Sequence, residues 1–210
     1  MRLEDLGNIP FGLSVLEGIY SDVGFVASKA KRLEDRGDII RLKRGAYVVS
    51  PSVNGRRLNE FLIANHLYGP SYVSMQSALR YHGLIPEAVH EVISMTVGLA
   101  KNFSNSLGTF RYVHCGVAYY HIGVTRIEHG DESFMMAGPE KALCDLMLFT
   151  PHLNLRYLSE MRAYLEDDMR IDMDGLSKFD LSILRECADT GKKKNMIRLL
   201  IKFIENGRDI

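Results

Sequence analysis

The chain has 210 residues, 46% of them hydrophobic and 25% charged, and its 26 Lys and Arg are matched by 26 Asp and Glu. That is material for one large folded domain, or for a small one joined to a medium one. It excludes a helical membrane span, because no run of about 18 apolar residues exists. Met1-Arg2-Leu3-Glu4-Asp5 places acids early and has no long apolar stretch, so no secretory signal is read and a cytoplasmic protein is expected. Cys115, Cys144 and Cys187 are far apart and in no metal-ligand spacing, which predicts buried, unpaired thiols and no metal or other cofactor.

The neutral total hides an asymmetry. Between Val23 and Arg57 the cations are Lys29, Lys31, Arg32, Arg36, Arg41, Lys43, Arg44, Arg56 and Arg57, against only Glu34, Asp35 and Asp38. The remainder is therefore net acidic, with Glu166-Asp167-Asp168, Asp172 and Asp174 contributing. A basic head on an acidic body suits a phosphate-facing module joined to a module of another kind.

In chain order, Leu13, Leu16, Ile19 and Tyr20 recur at helical spacing over Phe11–Tyr20, after Pro10. Ser21-Asp22 breaks the pattern and offers an N-cap. A second helix is predicted over Val23–Arg36, with Val23, Ala27, Ala30 and Leu33 inward and Ser28, Lys29, Lys31, Arg32, Asp35 and Arg36 outward. Gly37 follows as its natural C′ residue. Two short helices joined by a tight turn are the skeleton of a helix-turn-helix. Next come two β-prone runs, Ile39–Leu42 and Ala46–Val49, joined by the basic turn Lys43-Arg44-Gly45. A hairpin with cations at its tip, directly behind a basic helix, predicts a winged helix-turn-helix over residues 1–54.

An α+β domain is predicted over residues 55–210. Leu58–Tyr68 reads as a helix stopped by Gly69-Pro70, and Ser71 opens another that ends at Gly83 and Pro86. Strand-like runs follow at Val92–Val97, Gly108–His114, Ala118–Ile122, Val124–Glu128 and Ser133–Ala137, with turn residues at Asn102–Ser106. They predict an antiparallel sheet of four or five strands flanked by helices. Pro139 suits a helix N1 position with Glu140 in the first turn. Further helices over Leu155–Leu165, Leu176–Thr190 and Lys193–Asn206 make the C-terminus helical.

Three blocks carry a family resemblance. Leu33–Val48 resembles the wing region of AbiEi-type regulators, whose pattern is roughly "L…rG.i.rl.rG.Y". Tyr68–Leu79 with Tyr81–Glu87 is similar to the family's "P.YvS..sAL..hGl.p", and Pro139–Leu146 to its "pEKAl.Dl" helix. The blocks occur in family order over roughly residues 10–150, and beyond about residue 155 no motif is seen. The resemblance implies an antitoxin of a type IV toxin–antitoxin system. Its winged helix represses its own operon at an inverted repeat in double-stranded promoter DNA. Its toxin is a nucleotidyltransferase-like protein that it need not touch directly.

Phosphate contacts need cations, and base contacts need donors on a helix entering the groove. The candidate DNA-binding residues are Ser28, Lys29, Lys31, Arg32 and Arg36 of the second helix and Arg41, Lys43 and Arg44 of the wing. The competing reading of that helix is a solvated face with pairs such as Lys31–Asp35 at i,i+4. Two other functions compete: an interaction module of the same lineage without operator binding, and a metal-dependent nuclease built on Glu140, Lys141, Asp145 and Asp131. The nuclease is disfavoured because adjacent Glu140 and Lys141 point about 100° apart on a helix. There is no nucleophile elbow and no phosphate-binding Gly-rich loop, so no enzyme is expected.

Overall fold

The structure, a computed structural model, describes residues 2–20, 25–86 and 91–208. The N-terminal part begins with a 3-10 turn at Leu3–Leu6, then β1 (Phe11–Gly12), α1 (Leu13–Ile19), α2 (Val26–Asp35), β2 (Ile39–Lys43) and β3 (Ala46–Val49). The strands form an antiparallel sheet in the order β1-β3-β2. Phe11, where a helix start was expected, instead pairs with Tyr47. In α2 the inward residues are Val26, Ala30 and Leu33, spaced i, i+4, i+7, and Ala27 is exposed. This corrects the expected face, which had Ala27 inside; Val23 and the expected cap Ser21-Asp22 lie outside the described residues. Gly37 at φ 75° ends the helix, with the Asp38 N–H donating to the Leu33 carbonyl at 2.9 Å.

The hairpin β2–β3 is buried on both faces. Side chains alternate along a strand, so Ile39, Tyr47 and Val49 cover a small core with Leu3, Phe11, Leu16, Ala30 and Leu33. Leu42 and Val48 belong to the main core of the protein, with Ile40 packed against it. A bulge at Leu42, between the Arg41 and Lys43 pairings, re-aims the strand. The hairpin therefore fastens the part before residue 54 to the part after it.

After a short turn of helix, α3 (Pro51–Asn54), come α4 (Glu60–Leu67), β4 (Ser71–Val73), α5 (Met75–Tyr81), β5 (Glu91–Thr96), β6 (Lys101–Asn105), β7 (Gly108–His114), α6 (Val117–Tyr120), β8 (Val124–His129) and β9 (Glu132–Ala137). The protein is thus mixed α+β, but the expected antiparallel sheet of four or five strands is corrected. Six strands run in the order β6-β7-β5-β4-β9-β8, and the pairs β4–β9 and β5–β7 are parallel. Ser71–Val73, expected to open a helix, is a central strand too short to show alternation. Lys101–Asn105 is a polar edge strand where Asn102–Ser106 was expected to be a turn. Ala118–Ile122, expected as a strand, is not one: Val117–Tyr120 forms one helical turn, in which the Gly116 carbonyl accepts from the Tyr119 and Tyr120 N–H groups, and Tyr119 is drawn into the core.

α4 packs across β4, β5 and β9, and α7 (Pro139–Phe149) packs against α5 and α10 (Leu181–Thr190). Pro139 does occupy the first turn of α7. α8 (Leu158–Ala163), α9 (Met173–Ser177) and α11 (Lys194–Arg208) complete a helical layer with α10. The single helix expected over Leu176–Thr190 is two, because Asp180 caps a fresh start through the Ser182 N–H. Cys115, Cys144 and Cys187 are all buried and free. Among the described residues no helix is long and apolar enough to cross a membrane.

Candidate nucleic-acid interface

The amphipathic spacing of α2 presses Val26, Ala30 and Leu33 inward and leaves the polar residues outside. Ser28, Lys31, Arg32 and Arg36 are exposed, as are Arg41 and Arg44 of the hairpin; Lys29 and Lys43 are half-buried. The acids of this segment are each held by a cation. Lys31 Nζ is 2.7 Å from Asp35, Arg41 is 2.6 Å from Glu34, and Arg36 pairs with Asp38. The hydrogen bond to Asp35, and then its charge, raise the Lys31 ammonium above the usual lysine value. Exposed pairs of this kind are screened by water and contribute little, so exchanging the carboxylate for a phosphate costs little. Arg32 and Arg44 make no ion pair among the described residues.

The Arg41–Glu34 pair crosses from β2 to α2. It ties β2 to the half-buried flank of the helix at Glu34, which is i+4 from inward Ala30. Two of the predicted residues are engaged otherwise. Lys43 donates to the Leu67 carbonyl at the end of α4 and lies 5.5 Å from the Phe103 ring, and Asn105 Nδ2 donates to the Leu42 carbonyl at 3.1 Å. Lys29 Nζ sits 4.2 Å over the Tyr20 ring, a cation–π contact that steadies its stem. Phe25, just before α2, is 78% exposed; no motif in the sequence singles it out.

A second tie fixes the basic part to the body. Asn8 Nδ2 donates to the Arg57 carbonyl at 2.6 Å and to Glu132 at 2.7 Å, Asn59 Nδ2 donates to Glu132 at 3.1 Å, and Arg56 pairs with Asp131 at 2.6 Å. Arg56 is thereby engaged, and Arg57 stays exposed. No protein-family model matches the chain, and no curated protein matches it.

The residues weighed for a nuclease are dispersed. Lys141 and Asp145 form an ion pair at 3.1 Å that is 0% exposed on both sides. Lys141 Nζ also donates to the Tyr119 carbonyl at 3.0 Å, and Asp145 accepts from Ser74 Oγ at 2.6 Å and from the Tyr72 hydroxyl at 3.1 Å. Burial, and then the Asp145 charge, push the Tyr72 phenol far above its usual value. Gly123, at φ 57°, lets its loop approach the Lys141 stem: a Cβ there would meet Lys141 Cβ at 3.0 Å. Glu140 turns away and accepts from the Asp180 N–H at 3.0 Å, and Asp131 is taken by Arg56. Among the described residues no group of three His, Cys, Asp or Glu side chains is placed to hold a metal. The sealed pair has no route to a substrate. It joins Tyr72 and Ser74 of the second motif block to Lys141 and Asp145 of the third.

Proposed function

We propose that the chain is a sequence-specific DNA-binding repressor in which residues 1–54 act as a winged helix-turn-helix, α2 entering the major groove and the β2–β3 hairpin serving as the wing. The observation that carries this reading is the basic hairpin directly behind the exposed cationic face of α2, tied to that helix by the Arg41–Glu34 pair. The order strand, helix, helix, hairpin, with β1 returning to β3, supports it. Arg32 and Arg44 are the cations most available to phosphate. Lys43 serves chiefly to dock the hairpin, and so contributes less. The motif resemblance extends the proposal to an AbiEi-type antitoxin that autoregulates its operon beside a nucleotidyltransferase-like toxin.

The test is fluorescence anisotropy on the DNA upstream of the chain's own gene and on a scrambled duplex, at several salt concentrations. The wild type is expected to prefer the upstream duplex. Arg32→Ala/Arg44→Ala should weaken binding to both and flatten the salt slope by about two units, one for each phosphate-neutralising cation removed. Absence of binding to either duplex at low salt overturns the proposal. It would favour the interaction-module reading, to which the docking of Lys43 and Leu42 onto the body lends some support.

A further inference from the structure

Phe25 breaks two local rules at once. It holds the N-cap position of α2: its carbonyl accepts from the Ser28 and Lys29 N–H groups at 3.1 and 3.2 Å, yet its side chain makes no capping hydrogen bond. N-caps favour Ser, Thr, Asp and Asn because a short oxygen-bearing side chain satisfies a free N–H of the first turn. A phenyl ring cannot. Phe25 is also 78% exposed as a residue, so it gains little from burial, and no ring contact among the described residues holds it. A position that loses stability both ways without structural return is where a functional constraint is expected.

Its surroundings indicate which constraint. Ser28 and Arg32, both exposed, follow at i+3 and i+7 on the same side of the helix. In helix-turn-helix proteins the first residues of the groove helix meet the base edges. Among base-edge groups the thymine 5-methyl is the apolar one, and Phe and Ala are side chains that contact it. We propose that Phe25 is a specificity-determining residue that reads a thymine of the bound duplex through its 5-methyl group. This inference rests on the DNA-binding reading above.

Anisotropy with the full chain tests it, using the upstream duplex and copies in which thymines are replaced, one block at a time, by deoxyuridine, which lacks only that methyl. The wild type should lose about fivefold in affinity on one block, the lower end of the cost of a single wrong base pair. Phe25→Ser should show a similar loss on the unmodified duplex and no further loss on that block. Its Tm should equal or exceed that of the wild type, because serine caps the helix. Three outcomes overturn the inference while leaving DNA binding intact. One is upstream preference that is indifferent to every deoxyuridine block, with Phe25→Ser weakened all the same, which would make the ring a wedge between base steps. The second is a variant that senses the methyl as the wild type does. The third is a variant with a lowered Tm and unchanged DNA binding. A wild type without preference for the upstream duplex over the scrambled one at low salt removes the DNA-binding reading, and this inference with it.

Discussion

Two helices of this protein carry the same charge pattern, Lys followed four residues later by Asp, with opposite consequences. On α2, Lys31 and Asp35 meet at 2.7 Å with 65% and 57% of their side chains exposed. On α7, Lys141 and Asp145 meet at 3.1 Å with 0% exposed. Water screens the first pair, which can exchange one partner for a phosphate at small cost. The second has lost its water, so its members must be satisfied by each other, by Ser74 and Tyr72, and by the Tyr119 carbonyl. Spacing makes the pair possible in both places. The surroundings decide whether it is a loose surface contact or an obligatory part of the core.

The largest effect is expected where that contrast is broken from inside. Asp145→Ala leaves an unpaired ammonium in the core and should cost about 3–5 kcal/mol, a fall in Tm on the order of 10 °C for a chain of this size. Lys141→Met/Asp145→Leu should recover part of this and not all, because Ser74 and Tyr72 lose their acceptor. A Tm unchanged in Asp145→Ala would mean that water reaches the pair.

Leu42→Ala comes next, at about 2–4 kcal/mol for a buried leucine truncated at a junction. Since Leu42 ties the hairpin to the main core, amide hydrogen exchange should rise in both β2 and β6. A rise confined to β2 would show that the basic part is held to the body elsewhere. Lys31→Ala should leave the denaturant midpoint almost unchanged. A larger change in denaturant midpoint would show that the exposed pair resembles the buried one after all.

The smallest effect concerns Asp131. The hydrogen bond from Arg56, aided by a backbone hydrogen bond and by the Arg56 charge, holds its carboxyl below the ordinary value of 3.8. The folded value lies below the unfolded one, so the stabilisation is present above pH 3.8 and is lost as the pH falls toward the folded value. Asp131→Asn lacks that contribution at neutral pH. Its Tm should lie slightly below the wild type there and converge with it on acidification. A gap that persists in strong acid would assign the difference to something other than ionisation.

Much of the basic part was legible in the sequence, and less of the sheet. The inward stripe Ala30 and Leu33, the stop at Gly37, and the hairpin around Lys43-Arg44-Gly45 are local signals, written in spacing and in turn chemistry. β7 was legible through its alternation, β5, β8 and β9 through β-prone residues set between turn signals, and the start of α7 through Pro139. Ser71–Val73 was not, because three residues buried in the middle of a sheet have no period to read. Nor was Lys101–Asn105, whose Asn and Ser content imitates a turn, or Val117–Tyr120, where Tyr119 is drawn under Lys141 against its strand propensity. Of the candidate site, the sequence supplied the cations without their partners, and it carried no sign of Phe25.

By itself, then, the sequence determined the stripe of Ala30 and Leu33, the stop of α2 at Gly37, the start of α7 at Pro139, the hairpin turn around Lys43-Arg44-Gly45, and that a basic segment precedes an acidic remainder. Only the tertiary structure decided which lysine–aspartate pair is sealed, that Lys43 docks the hairpin onto α4, that the sheet has two parallel pairs, and that Phe25 is left in water. The physical reason is range. Helix period, caps and tight turns are contacts between near neighbours in the chain. Desolvation, parallel pairing and the burial of a hairpin on both faces depend on groups brought together from distant positions, and the strength of a charge depends on all of them.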